Sequence, residues 1–594
     1  MFSKISMKKI AGLFDHSPFL ILFILSSLLL FKGLDHTLFW QDEGHVAVLA
    51  RRILQFGYPK VWDGRNLLTG MDGLDFNRNY VLTWDGWFPY YLVAASFRLL
   101  GESTFAGRFP FVLCALATLP LFYGFVLRLT RRRITAFLSV FFMVGSIMFL
   151  LHSRQCRYYA VLPLGVVIVF WGLWCLPMRR GLFLTSLGFV LLYYSNLVSF
   201  ACCYFSVLFI PLVLGWNSAK VRAFLVASVA VFLLTAPFFL YADMLHKSGT
   251  RAPVVWNECI GTMLGNLVFI NKFYVPLLLL FIAHFYYKRR PHLKGGQYFR
   301  IGLVFLLVPV VLIAFVLGPT VRYIYHIFPI AAFLTALFLV DIWKEKRLAA
   351  IVLFLLIIFT HALDYLPFKA VFLAGDILQQ VVPAPAVKAL RYVYDQYSSV
   401  DDEEGPYRAF DKKESHAQML RFYRELHIPT FQERFWRLEY RSYWDEITHP
   451  FPDNLPVVSQ FLRENGKPDD GVYLNVGQCP MLFYNPDVRL VYSMTLPKKV
   501  NNDADPLDPA QWQWEAMTWF MPRPFSQSRG PFLTDGEFFN LVASKGWRVA
   551  THQLNVPAHL WDGNWPERYR IYRTLHGEYP MPRQEPQVIY QVLR

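Results

Sequence analysis

Long apolar stretches fill the first part of the chain, and the polar intervals between them alternate in character. One set is rich in Lys and Arg; the other carries acids, aromatics and isolated arginines. An apolar run of ~18 or more residues matches the thickness of a bilayer core. The pattern predicts spans at Pro18–Leu34, Phe109–Leu127, Ile134–Leu151, Ala160–Leu176 and a two-span hairpin around Tyr194-Ser195-Asn196. Further spans are predicted at Ala223–Tyr241, in a stretch ending at Lys288, and at Ile301–Leu317, Tyr323–Val340 and Leu348–Leu366. That is about eleven transmembrane helices. The basic clusters Arg131–Arg133, Arg179–Arg180, Lys220–Arg222, Lys288–Arg290 and Lys344–Arg347 then share one side, with Lys4, Lys8 and Lys9. The positive-inside rule makes that side cytoplasmic.

The short apolar piece Leu92–Leu100 is the exception. Placed across the membrane, it would send Arg131–Arg133 outside, so it reads as a helix lying in the interface with Arg98 toward water. A long outer loop, 35–106, results. The first run lacks a small-residue cleavage site and is followed by more spans, so it is an anchor rather than a signal peptide.

From about Pro367 the apolar runs shorten, and charge, Pro and Trp rise. Two domains follow: a transmembrane domain, 1–366, and an extracytoplasmic domain, 367–594. In the second, helices are predicted at Leu455–Glu464, Met481–Tyr484 and Asp535–Ser544. Strands are predicted at Gly471–Val476, Val488–Tyr492, Trp547–Thr551, Arg570–Arg573 and Val588–Leu593. Asp401–Gly405 reads as a solvated turn. The fold class is an α-helical polytopic membrane protein with a small C-terminal α/β domain.

Composition agrees. Of 594 residues, 55% are hydrophobic and 18% aromatic, too many for a soluble chain with this patterning. The net charge of +16 sits largely in the short loops, where it reports topology. No base-reading motif points to nucleic acid, and no GxGxxG or P-loop points to a nucleotide. Of the seven cysteines, Cys114, Cys175, Cys202 and Cys203 fall in spans; Cys156, Cys259 and Cys479 fall outside, where Cys259 and Cys479 could pair.

Candidate chemistry gathers on the acidic, aromatic side. Asp42 and Glu43 follow the first span at the start of a helix-like segment, where the helix dipole favours negative charge. Glycosyl transfer needs a base for the acceptor hydroxyl and cationic help for a leaving phosphate. Asp42 is the candidate base, and Glu43 could orient a substrate or hold a metal. Arg154, Arg157, Arg322 and His326 are candidate phosphate partners at span ends, Arg being suited to bidentate phosphate contacts. Tyr90, Tyr158 and Tyr159 would line the substrate. Asp85 and the other loop acids stand in reserve; they could also bind a divalent cation, though no spacing fixes a site. Each has a plainer reading: Asp42 as a helix cap, the arginines as snorkelling residues, the tyrosines as an interfacial belt.

Several motifs occur in a telling order: Asp42-Glu43, Phe88-Pro89-Tyr90-Tyr91, Gly107-Arg108-Phe109-Pro110, Ser153-Arg154-Gln155-Cys156-Arg157-Tyr158-Tyr159-Ala160, and Arg322-Tyr323 with Pro329. With the tail segment Val457–Asn475 they resemble the polytopic GT-C glycosyltransferases. That group includes the protein O-mannosyltransferases, the lipid A aminoarabinose transferase and related bacterial family-39-like enzymes. The resemblance covers most of the chain to about Tyr492. It implies inverting transfer from a polyprenyl-phosphate sugar, with Asp42 as base, to a lipid, glycan or protein acceptor on the outer face. The expected location is a bacterial inner membrane, with the endoplasmic reticulum as the alternative. Some members carry a second acid after the third span; His152–Ala160 has none. Transporters and lipid flippases are the main rivals, but they place ionisable groups near the midplane, and spans three to seven hold no charge. A non-catalytic membrane scaffold is the other alternative.

Overall fold

The computed structural model describes residues 17–68, 75–242, 256–316, 321–364, 436–437, 439–449, 454–468, 470–474, 478–491, 517–521, 535–557 and 586–594. The predicted turn at Asp401–Gly405 and strand at Arg570–Arg573 lie outside them.

Every predicted span contains a helix. The first helix, α1, covers Ser17–Phe31; α2, Gln41–Phe56, carries the Asp42-Glu43 pair. Next comes α3, Phe88–Leu100. At ~1.5 Å per residue it is too short to cross a bilayer. It packs against α2 and leaves Arg98 exposed. The long helix α4, Thr104–Thr130, starts on a Ser103 cap and ends at Arg131 in the left-handed conformation (φ 59°).

The third predicted span is not continuous. It is α5, Arg133–Val144, and α6, Ile147–Ser153, bent by 65°. The break falls on Gly145-Ser146, a pair that commonly kinks helices. Tyr440 donates to the freed Gly145 carbonyl at 2.7 Å. After a 3₁₀ turn at Tyr158–Ala160 come α7, Val161–Cys175, and α8, Arg179–Tyr193. The helices α9, Leu197–Leu208, α10, Ile210–Leu214, and α11, Ser218–Tyr241, follow. Leu225, Val229, Phe232 and Leu233 on α11 are more than half exposed, an apolar face suited to lipid.

The eighth predicted span, starting near Lys272, corresponds to α13, Leu277–Lys288, and is preceded by α12, Trp256–Phe273, from which Pro276 parts it, its ring being unable to continue a helix. Then come α14, Lys294–Val316, a 3₁₀ turn at Val321–Ile327, α15, Phe328–Trp343, and α16, Arg347–Phe359. The last ends earlier than predicted, at extended Thr360, and Arg437 closes its end by donating from its backbone N–H to Phe359 O. Among the described residues five helices are long and apolar enough to cross a membrane alone, or six counting the bent pair; α1, α13, α16 and the Leu197–Val213 stretch are shorter.

Beyond the spans lie α17, Glu439–Thr448, α18, Asn454–Asn465, β1, Gly471–Leu474, α19, Gln478–Tyr484, and β2, Arg489–Val491. They are followed by β3, Met517–Met521, α20, Asp535–Ser544, β4, Arg548–Pro557, and β5, Pro586–Leu593. The strands form one mixed sheet in the order β2-β1-β3-β5-β4, parallel from β2 to β3 and antiparallel from β3 to β4. The strand β3 and helix α17 have no counterpart among the predicted elements.

The small domain is seated on the first loop through α19. A Cβ on Gly44 would come within 2.5 Å of the Pro480 nitrogen, so α2 and α19 meet backbone to backbone. Arg51 donates to the Leu482 and Phe483 carbonyls, and Asn66 bonds both ways with Val488 O and Leu490 N. Tyr484 takes the Phe39 N–H at 2.9 Å and lies 2.7 Å from Thr104 Oγ1.

Candidate functional site

The adjacent acids of α2 have opposite fates because a helix turns ~100° per residue. Glu43 points inward and is fully buried. Its Oε1 accepts from Arg108 Nε at 2.8 Å and from the Cys156 N–H at 2.6 Å; its Oε2 accepts from Arg108 Nη2 at 2.7 Å. Arg108 also donates to the carbonyls of Leu34, Thr37 and Leu38. This buried, bidentate pair ties the end of the first span, α2, α4 and the Cys156 turn together. It leaves Glu43 turned away from any ligand, a correction to its reading as a substrate-orienting or metal-holding acid. Arg108 was missed as a functional partner. The available signal was its being the one charged residue between Thr104 and Leu127.

Asp42 points the other way, its side chain 28% exposed. Its Oδ2 accepts from Arg157 Nη2 at 3.0 Å. Arg157 is itself nearly buried, with its Nε unpaired among the described residues. Burial works to lower the Arg157 pKa, and the Asp42 carboxylate outweighs it, so the guanidinium is held firmly in its charged form. Gln41 and Cys479 bond reciprocally: Nε2 to Sγ and N–H to Oε1, both at 3.3 Å. Both Cys259 and Cys479 are free thiols. The suggested disulfide is therefore absent, since Cys479 faces α2 rather than α12.

One helical turn after Asp42, His45 lies edge-on to Tyr90, ring centroids 6.1 Å apart. Burial, then the Arg157 charge, lowers the His45 pKa; Asp85, Asp75 and Asp42 oppose them. Tyr90 is buried and donates to Asp85 Oδ2 at 3.0 Å. Burial and the Asp85 charge push its phenol pKa well up. The structure thus brings together Asp42, Arg157, Tyr90, Asp85 and His45; the last two were not among the favoured site residues.

The other sequence candidates separate. Arg154 donates to the carbonyls of Leu29 at 2.9 Å, Leu30 at 3.2 Å, Lys32 at 2.6 Å and Gly33 at 2.7 Å. It caps the end of α1. Those four acceptors consume its phosphate-binding fork, which corrects its reading as a phosphate partner. Tyr158 lies under the Arg157 guanidinium, 5.2 Å from ring centroid, and meets Tyr159 edge-on at 4.8 Å. Tyr159 is wholly buried beside His152 and Tyr325, its hydroxyl unpaired among the described residues. His326 is wholly buried too; Nδ1 lies 3.2 Å from Tyr323 O and Nε2 is unpaired among the described residues. The Arg322 side chain lies outside what the structure describes. Among the described residues no group of three or more His, Cys, Asp or Glu side chains is placed to hold a metal ion.

The architecture around this site has known counterparts. The chain is similar to the crystal structure of ArnT from Cupriavidus metallidurans bound to undecaprenyl phosphate. The TM-score is 0.51 at 13% identity, covering 96% of this chain and 98% of that one. The apo form of the same protein matches with TM-score 0.51 at 12% identity, covering 97% and 98%. The archaeal oligosaccharyltransferase AglB from Archaeoglobus fulgidus aligns with TM-score 0.41 at 12% identity over 79% of this chain and 64% of that one, too loosely to carry an argument. No protein-family model and no curated protein matches. The protein has the GT-C fold of those ArnT structures, with a small C-terminal α/β domain.

Proposed function

We propose that the protein is an inverting glycosyltransferase that moves a sugar from a polyprenyl-phosphate donor to an acceptor hydroxyl at the outer face of a bacterial inner membrane. The observation that carries this reading is the Asp42–Arg157 pair. Among the described candidates this acid–cation couple stays partly exposed, while Glu43, Arg108 and Arg154 are spent on internal contacts. The fold supports the reading, and the similar ArnT crystal structure holds undecaprenyl phosphate.

The chemistry is a single displacement. The donor phosphate approaches Arg157, whose guanidinium offers planar donors matched to it. As Arg157 turns toward the phosphate, its hold on Asp42 loosens. Asp42 then takes the acceptor hydroxyl proton, the acceptor oxygen forms a bond to the anomeric carbon from the opposite face, and the bond from that carbon to the phosphate oxygen breaks. The lipid phosphate leaves, its charge met by Arg157. The sugar and the acceptor (lipid, glycan or protein) follow from the donor and acceptor that fit.

The test is transfer or hydrolysis from a panel of polyprenyl-phosphate sugars by the purified protein, alongside Asp42→Asn. Asn caps a helix about as well as Asp but cannot take the proton. The variant should fold, bind donor and lose turnover by ~100-fold or more. Full activity where chemistry limits the rate would remove Asp42 from the role.

A further inference from the structure

Asp85 is placed with unusual care for a loop residue. Its Oδ2 is fixed by the hydroxyl of the buried Tyr90, and its Oδ1 has no partner among the described residues. The side chain is half-buried, and Tyr90, which holds it, lies edge-on to His45, one turn after Asp42 on α2. The loop beneath it is pinned on both sides. Trp87 Nε1 donates to Leu82 O at 2.8 Å, and the Phe88 N–H donates to Tyr194 O at 3.0 Å. Between them the Gly86 backbone lies directly on the outer turn of the fifth and sixth spans. A Cβ there would overlap the Tyr194 carbonyl. A glycine is required at 86 for that approach alone, and the approach fixes where Asp85 stands.

We propose that Asp85 is the grip for the transferred sugar, its open oxygen accepting hydrogen bonds from the sugar's hydroxyls beside the Asp42–Arg157 pair. The inference rests on the transfer reading above. A carboxylate accepts and never donates when ionised, so it suits hydroxyls or an ammonium and repels an acidic sugar. The surroundings reinforce that choice. A second carboxylate, Asp42, stands one helical turn before His45, whose ring lies edge-on to the Tyr90 that holds Asp85. The substrate class is therefore a neutral or amino sugar with free adjacent hydroxyls, not a uronic acid or a phosphorylated sugar.

Full-length protein in nanodiscs would be titrated with bare polyprenyl phosphate, with a polyprenyl-phosphate neutral hexose, and with the corresponding uronic acid. The wild type should bind the hexose form more tightly than the bare lipid phosphate, and the uronic acid form no more tightly than the bare one. Asp85→Asn should erase the hexose increment, about tenfold for a charge-assisted hydrogen bond, while leaving bare lipid phosphate affinity unchanged. Gly86→Ala should do the same by displacing Asp85 without touching a ligand group, and Tyr90→Phe should do so partially with little effect on folding. If Asp85→Asn keeps the increment, or the uronic acid form binds as well as the hexose, the grip is overturned while the transfer reading stands. If the wild type binds neither lipid, the transfer reading falls and the grip falls with it.

Discussion

Glu43→Gln decides whether the second acid of the pair is a brace or a reactant. Gln keeps the shape and one carbonyl oxygen, so the Cys156 N–H can still donate to it. What it removes is the charge facing Arg108, which is 7% exposed. Breaking a buried ion pair by removing one partner costs about 3–5 kcal/mol, because a charge is left uncompensated in a low-dielectric site. Here Arg108 retains the carbonyls of Leu34, Thr37 and Leu38, so the lower end, about 3 kcal/mol, is expected. Arg108→Met should cost more, since it strands a fully buried Glu43 and releases those carbonyls as well. The double variant should cost less than the sum, the usual sign of a coupled pair. The assay is apparent unfolding temperature in detergent at one fixed scan rate, with initial rates at a temperature where every variant is folded. A Glu43→Gln protein that melts like the wild type yet loses turnover would refute the brace and return Glu43 to the chemistry.

Arg154→Gln should lower the unfolding temperature, by roughly 1.5–3 kcal/mol of charged hydrogen bonding, while leaving donor affinity of the folded protein unchanged; a selective loss of donor binding would reverse that assignment. Arg132 and Tyr287 both bond to the buried Asp341, the Tyr287 hydroxyl at 3.0 Å, so Asp341→Ala should destabilise the face opposite Asp42 without altering transfer kinetics, checked by the same melts and rates. His45 has a folded pKa below the ordinary 6.5. The unfolded chain therefore binds the extra proton more readily, and stability present above about pH 6.5 should be lost as pH falls toward the folded pKa. His45→Gln should flatten that part of the stability–pH curve, and an unchanged slope would show that His45 is not its source.

The spans were legible because little besides a membrane crossing calls for an apolar run of bilayer length, and Leu92–Leu100, kept out of the spans by the alternation of arginines, belongs to a helix too short to cross. The break in the third was less legible. Gly145-Ser146 is visible as a pair of residues, yet it lies inside a run whose hydropathy never falls, so composition hides the bend. Among site residues, the sequence located the neighbourhood and misread occupancy. Arg154 and Arg157 sit three apart with the same chemistry and the same span-end position. Only the fold shows that one meets the carbonyl end of α1 and the other meets Asp42. Asp85 was one loop acid among several; its distinction comes from Tyr90 and from the Gly86 contact with Tyr194, both products of chain packing. The late strand β3 escaped because Met517–Met521 carries an apolar face on each side, with Trp519 and Phe520 both buried, and shows no alternation to read.

The two ion pairs beside each other on α2 suggest how such a site keeps a base without wasting it. The Glu43–Arg108 pair is buried, and it holds α2 against α4 and the Cys156 turn. Arg157 follows Cys156 directly, so the brace also fixes the backbone from which Arg157 reaches Asp42. The Asp42–Arg157 pair is partly exposed at Asp42, and its guanidinium has a buried Nε unpaired among the described residues. An anion bringing two oxygens can compete for that guanidinium where a water or a lone hydroxyl cannot, because it restores the charge balance that Asp42 had supplied. On the proposed reading Asp42 is therefore held in an ion pair until a donor phosphate arrives, and its release is coupled to the presence of the leaving group. Chemistry placed on a paired carboxylate in this way favours transfer over the idle activation of water.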